Sequence, residues 1–500
     1  MKGVLRFFLK IYDFSKKNYG VLGIFVFSTF VFLFIHKTVW SWDFTSYVLN
    51  AQFLFSNGLY FEPLRPPLMP VMIWLLSFFG FDFAGYLFIF FTSLLFMYSS
   101  IKLADALKFN RFFFYLMSIN SYVLFFGLIN GTELLSFALL ELFVAFIIED
   151  KNSGFFLGLS SISRYSIFAL APLIFFQRGA KKILKNLVFF ALPIIPWFIY
   201  NFVFYGNFFM SIADSYALNF YYRGYLLKPL LFSDIFYPFV VFWPFFVLGA
   251  LIVAVSWIKS RKFDFYSHRA DTIMIYVFVF TIFKYSRIPM RDERYLFTLM
   301  LPLIYFSYIG IEKIASFFKL RFHFKKNAFG MIVPGVLFFI LFLSSFYFFN
   351  PFDQPRSEGF SAIKSEISSL GITNCSIMSN RWLVLDYVGI FSVPADRKEL
   401  VSYYLDEGYY FVLFKGDSDL PYVDNESFMK SLPVIYDNSD FYVLGNLSRC
   451  VPQKKYDITY MDHLNNSIYK IYNYSTITDP CQIMFGKGML FKVCRFVNFK

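Results

Sequence analysis

Trp40 to Pro70 reads WSWDFTSYVLNAQFLFSNGLYFEPLRPPLMP. This polar and aromatic stretch directly follows an apolar run from about Tyr19 to Ile35 and carries two carboxylates, Asp43 and Glu62, with an Arg65-Pro66-Pro67 turn. Charges beside an apolar span are costly unless they are used or paired. The segment from 67 to 79 is too short to cross about 30 Å of hydrocarbon, which takes around 20 helical residues. It is expected to lie along the interface, closing a first outer loop over 36–82.

The composition of the rest of the chain agrees. Hydrophobic residues make up 58% of the 500 positions, charged residues 16%, and the mean hydropathy is +0.55. Ordinary soluble domains carry about a quarter charged residues, so the composition is that of a multi-pass α-helical membrane protein. The net charge of +13 punctuates the apolar runs and forms no patch on one domain, a pattern that sets membrane orientation and argues against a nucleic-acid partner.

Further spans are expected near 83–101, 112–129, 133–149, 154–164, 166–177, 186–203, 235–258, 271–287, 295–312 and 328–349. With the first run they make eleven crossings, or ten if 154–177 is one helix interrupted by Arg164. The N-terminal basic residues before an uncleaved first span put that terminus in the cytoplasm. In the eleven-span arrangement the inner segments hold 22 Lys and Arg against 9 in the outer segments before residue 350. The C-terminal domain is therefore expected to be extracytoplasmic, in the cell membrane's outer compartment.

The character changes at Asn350, so the expected domains are 1–349 in the membrane and 350–500 as a soluble α/β domain. Residues 358–370 read as a helix, and CSIMS, YYFVLFK and DFYVLG as short strands. All four cysteines, Cys375, Cys450, Cys481 and Cys494, lie in this part. An even set confined to one polar domain is what an oxidising compartment permits, with three pairings open. Sequons at Asn374, Asn425, Asn446, Asn465 and Asn473 fit the same side. The four histidines are scattered and offer no metal-ligand spacing, and no cofactor is expected.

Asp43, Glu62, Arg65, Glu133, Arg164, Arg223, Lys284, Arg287, Arg291, Asp292, Glu293 and Arg294 all collect at one interface in this topology. Cations from several loops around a carboxylate suit a substrate whose negative group is held at headgroup level, such as a polyprenyl-phosphate sugar. Attack by an acceptor hydroxyl on the anomeric carbon needs a base and stabilisation of the departing phosphate. Each residue also has a plain reading. Asp43 can cap a helix, Arg65 can pin the Pro-Pro turn, and Arg164 and Arg294 can snorkel. Glu133 suits a helix start, and Glu141 a buried, paired carboxylate.

The order Asp43, Tyr47, Ala51, Gly58, Arg65-Pro66-Pro67-Leu68 resembles the GT-C glycosyltransferases, in particular the protein O-mannosyltransferases and lipid A aminoarabinose transferases. Further matches are Gly158-Leu159 with Arg164, Pro196-Trp197 with Asn201 and Gly206, and Glu293-Arg294-Tyr295 before Pro302. The resemblance covers about 19–350. It implies a GT-C fold and an inverting, metal-independent transfer from a polyprenyl-phosphate donor to a protein, lipid or glycan acceptor on the outer face. It makes Asp43 the catalytic base and Arg65, Arg164 and Arg294 the donor phosphate contacts. Tyr47, Glu62, Tyr222, Arg223 and Glu293 are candidate substrate contacts. Mannosyltransferases commonly have a second acid after the first; Phe44 stands there, which leaves the sugar open. The metal-dependent oligosaccharyltransferase signature is matched only by Trp382 and Asp386-Tyr387-Val388-Gly389, so the resemblance implies no metal. The rival readings are a lipid-linked saccharide flippase, which calls for charges at mid-membrane and internal repeats, and a non-catalytic scaffold.

Overall fold

Helices dominate because long apolar stretches without water must satisfy their backbone groups internally. The computed structural model describes residues 18–39, 41–55, 58, 61–217, 231–260, 268–288, 292–322, 329–348, 360–395, 398–416 and 420–453. It divides into two compact units, one built on the described residues of Met1–Lys37 and Leu64–Gln354, the other on those of Thr38–Pro63 and Pro355–Asp479. The first-loop segment Thr38–Pro63 therefore groups with the C-terminal residues and not with the helices flanking it in sequence.

In the first unit Tyr19–Thr38, Phe81–Leu107 and the run Glu293–Phe317 are long and apolar enough to cross a bilayer. Ala180–Ala191 and Ile195–Tyr205, bent by 46° at their junction, can together form one more. Other expected spans are shorter apolar helices, among them Gly154–Ser163, Tyr165–Phe176, Trp243–Lys259 and Gly335–Phe346, and Leu68–Phe79, expected along the interface, is a short apolar helix as well. The run expected at 112–129 is broken into Arg111–Ser118 and Ser121–Phe126. Asn120 makes the break, its side chain accepting from the Val123 amide as the cap of the second helix. The 154–177 pair is likewise two helices, with Arg164 extended between them (φ −154°, ψ 109°).

Glycines set two close helix crossings. A Cβ on Gly249 would stand 1.8 Å from the Phe306 carbonyl oxygen, and one on Gly310 2.3 Å from that of Phe245. Trp243–Ser260 and Met300–Phe322 therefore touch backbone to backbone, as small residues permit in membrane helices. Gly154 and Gly158 let Gly154–Ser163 approach Ala180–Ala191 in the same way, under Asn186 and Phe190. Buried Asn186 caps this helix from outside it, its Oδ1 accepting from the Ser153 and Gly154 amides at 2.6 and 2.7 Å. Glu141 is buried as expected, with Ser99 and Ser100 donating to its carboxylate at 2.6 and 2.9 Å.

The second unit is a five-stranded mixed sheet in the order β2-β1-β3-β5-β4. Its strands are β1 (Ile377–Ser379), β2 (Ser392–Pro394), β3 (Tyr410–Phe414), β4 (Val434–Asp437) and β5 (Phe441–Leu444). β1 runs parallel to β2 and β3, while β5 is antiparallel to β3 and β4. Central β3 is buried along its length, and its period of two divides it between two cores. Tyr410, Val412 and Phe414 pack with Ile363 and Ile367 of Phe360–Ser369. Phe411 and Leu413 pack with Val401 and Leu405 of Lys398–Glu407. Cys375 and Cys450 form a disulfide, deciding one pairing among the three; Cys481 and Cys494 lie outside the described residues.

Candidate active site

Ser41 opens the helix Trp42–Phe55. Its carbonyl accepts from the Thr45 amide at 3.0 Å and its hydroxyl from the Phe44 amide at 3.3 Å. The capping position thus belongs to Ser41, and Asp43 stands inside the first turn, where the helix dipole favours a carboxylate. Asp43 is half-buried, whereas Phe44, Tyr47, Val48 and Leu49 are buried. Tyr47, expected as a substrate contact, is thus 4% exposed.

The chain returns to this helix through one amide. Asn50, 1% exposed, donates from Nδ2 to the Glu62 carbonyl at 2.9 Å and accepts from the Glu62 amide at Oδ1 at 2.7 Å. Phe53 and Phe61 stack beside it, 4.8 Å between centroids. Glu62 is 3% exposed, and the two bonds tie its backbone to the helix. At the start of the same helix, the Trp42 ring meets Trp382 edge-on at 5.8 Å.

The first unit holds the basic residues. Arg65 lies half-buried ahead of Pro66 and Pro67. Its carbonyl accepts from the Tyr165 hydroxyl at 3.4 Å, and that hydroxyl accepts from Trp197 Nε1 at 2.9 Å. Tyr165 directly follows Arg164, so the helix break places two neighbouring side chains in the same region. Arg164 Nη1 pairs with Glu133 Oε1 at 2.9 Å, the side chains 15% and 3% exposed. Glu133 thus stands at its helix start, as expected, and holds the arginine. Arg164 and Arg294 both lie over the Tyr295 ring, 5.7 and 5.5 Å from its centroid.

Arg294 Nε pairs with Asp292 at 2.8 Å, and Asp292 also caps the 3-10 turn Glu293–Leu299 by accepting from the Arg294 amide. The Tyr122 hydroxyl donates to the Glu293 carbonyl at 2.7 Å and feels the charges of Asp292, Arg164, Glu293 and Glu133. Lys284 lies within electrostatic reach of Arg164. Among the candidates, therefore, Arg164, Arg294 and Glu293 converge in one polar cluster. Asp43, Tyr47 and Glu62 belong to the other unit. Tyr222 and Arg223 lie outside the described residues. Sequence reasoning passed over Asn50, Tyr122 and Tyr165; a lone amide on the buried face of an apolar helix is the one signal that marked Asn50.

No family model and no curated protein matches the sequence. Among solved structures, the chain is similar to ArnT from Cupriavidus metallidurans bound to undecaprenyl phosphate, at a TM-score of 0.57 and 12% identity over 88% of this chain and 100% of that one. The chain shares the fold of this ArnT structure. At this identity the likeness is one of fold, and it spans both the helical and the sheet-bearing parts. The helices long and apolar enough to cross a bilayer, together with this fold, agree with the membrane protein expected from the composition, and the resemblance to the aminoarabinose transferases is matched at the level of fold.

Proposed function

We propose that the protein is an inverting, metal-independent glycosyltransferase that moves a sugar from a polyprenyl-phosphate donor to an acceptor hydroxyl on the outer face of the membrane. Asp43 is the general base, and Arg65, Arg164 and Arg294 receive the phosphate. The observation that carries the reading is the pair of guanidinium groups brought over one tyrosine ring by residues 130 positions apart in sequence. A guanidinium has five N–H donors in a fixed fork. An edge given to Glu133 or Asp292 therefore sets the orientation of the fork without exhausting its donors.

In the reaction the acceptor oxygen attacks the anomeric carbon, its proton passes to the Asp43 carboxylate, and the C–O bond to the phosphate breaks. The electron pair leaves on a phosphate oxygen, where preorganised cations stabilise the developing charge. Phosphate leaves readily, so no general acid is required, and a single displacement inverts the anomeric centre. The ArnT structure contains undecaprenyl phosphate, a lipid of the class that departs in the transfer proposed here.

The test is transfer from purified polyprenyl-phosphate sugars by the detergent-solubilised protein. Asp43→Asn is expected to lose about a hundredfold or more in kcat, the range of a positioned base, with donor binding kept. Transfer at the wild-type rate by Asp43→Asn at equal folded yield overturns the assignment.

A further inference from the structure

The short helix Trp382–Tyr387 sits between β1 and β2 with both ends fixed. The Ser392 hydroxyl donates to the Trp382 carbonyl at 2.9 Å, and the Ser392 amide donates to Asp386 Oδ1 at 2.8 Å. Its own Leu383, Val384 and Leu385 are fully buried. Six residues without a side-chain cap do not hold a helix by propensity, so this one owes its place to the sheet. Its first residue is Trp382, 6% exposed, whose ring meets Trp42 at 5.8 Å and 86°. That edge-to-face geometry is the favoured one for aromatic pairs. Trp42 is the residue directly before Asp43.

We propose that Trp382 is a positioning residue for Asp43: the sheet domain, through the Trp382–Trp42 contact, fixes the first turn of the helix that bears the base. The inference rests on the reading of Asp43 under Proposed function. A base must lie within hydrogen-bond reach of its proton, and a displacement of about 1 Å costs about a hundredfold. The Asp43 turn has one flank, Phe44 to Leu49, buried in its own unit, and the Trp42 end is seated by this ring contact. The domain that follows the membrane helices in sequence thereby becomes part of the catalytic machinery.

Trp382→Ala, Trp382→Phe, Trp42→Ala and the double alanine variant are compared with Asp43→Asn in the full-length protein. Transfer is measured at saturating donor and acceptor, donor affinity with undecaprenyl phosphate, and amide exchange over residues 43–49. For Trp382→Ala, kcat is expected to fall about tenfold or more with donor affinity within about twofold, and exchange over 43–49 to quicken. Trp382→Phe, which keeps a ring, is expected to recover most of kcat. The double variant is expected to lose no more than the worse single one, as two residues acting through one contact do.

Wild-type kcat in Trp382→Ala, with Asp43→Asn inactive, overturns the positioning role and leaves the base in place. Equal losses of kcat and donor affinity reduce Trp382 to a folding residue and overturn it as well. An active Asp43→Asn removes the base itself and this inference with it.

Discussion

Asn50→Ala isolates what a single buried amide does for this fold. The Asn50 side chain makes two hydrogen bonds to the backbone of Glu62, at 2.9 and 2.7 Å, and both residues are nearly inaccessible to water. Truncation leaves a buried N–H and a buried C=O of Glu62 without these partners. Each such group costs about 1–3 kcal/mol, so the tether between Trp42–Phe55 and the returning chain weakens by about 2–6 kcal/mol. Each 1.4 kcal/mol is a factor of ten, so the Glu62 amide should exchange with deuterium at least about thirtyfold faster if local opening governs exchange. Asn50→Asp separates the bonds. A carboxylate still accepts from the Glu62 amide but opposes the Glu62 carbonyl, so the variant should be no better than alanine. The assay is hydrogen exchange with fragment mass analysis over residues 58–66, with thermal melting in detergent beside it. Exchange at Glu62 within about threefold of wild type in Asn50→Ala would refute the reasoning, since a bond pair worth less than about 1 kcal/mol is not a tether.

Four further outcomes follow from other contacts. Gly249→Val forces a branched side chain against the Phe306 carbonyl, 1.8 Å from even a Cβ; folded yield is expected to collapse, while Gly23→Val, where a Cβ meets nothing, should leave size-exclusion profiles unchanged. Reducing the Cys375–Cys450 bond, which spans 75 residues, should cost the sheet unit about 4 kcal/mol on the chain-entropy account, read as a lower melting temperature in dithiothreitol. Burial pushes the Asp386 carboxyl well above the usual carboxylate range, against the pull of the Ser392 amide. A raised native pKa means the folded state binds a proton the unfolded chain has lost. Stability from this group is therefore full below the unfolded value near 4 and falls as pH rises toward the native one. Asp386→Asn should flatten that decline, checked by melting temperature from pH 5 to 8. Arg164→Lys keeps the charge beside Glu133 but not the fork, and should lower kcat/KM for the donor by about tenfold or more.

Long-range order was legible only where the local pattern was strong. Tyr19–Thr38, Thr132–Ile148 and the strands β1, β3 and β5 follow from apolar runs that admit one reading. The break at Arg164 was visible because a charge interrupts an apolar run. The break at Asn120 was not, since Asn120 is a small polar residue in a stretch whose hydropathy barely falls. β4 escaped because it is an edge strand facing solvent at both ends, so its side chains carry no burial signal. At the site, the clustering of Arg164 with Arg294 could be anticipated from charge position. Their shared tyrosine and separate carboxylates could not, because partners so far apart in the chain leave no spacing to read. The grouping of Thr38–Pro63 with the C-terminal sheet was equally silent: an aromatic pair such as Trp42 and Trp382 is a packing fact, with no periodicity behind it.

The pairing of Arg164 with Glu133 bears on how a phosphate would be received. An unpaired guanidinium in surroundings as closed as 15% exposure would carry a large desolvation cost, and the carboxylate at 3% more so. The pairing offsets both costs, and breaking it by Glu133→Gln would leave a nearly buried cation uncompensated, at a cost of about 3–5 kcal/mol. The same variant raises the net positive charge seen by an arriving phosphate. The two effects oppose each other in different observables. Melting temperature should fall, while affinity for undecaprenyl phosphate should hold or rise in whatever fraction stays folded. If Glu133 served only the helix start, Glu133→Gln would keep the hydrogen-bonding shape and neither quantity would move beyond the roughly 1–2 kcal/mol that the helix dipole accounts for. A fall in both stability and phosphate affinity would mean that the orientation Glu133 gives the arginine outweighs net charge at the site.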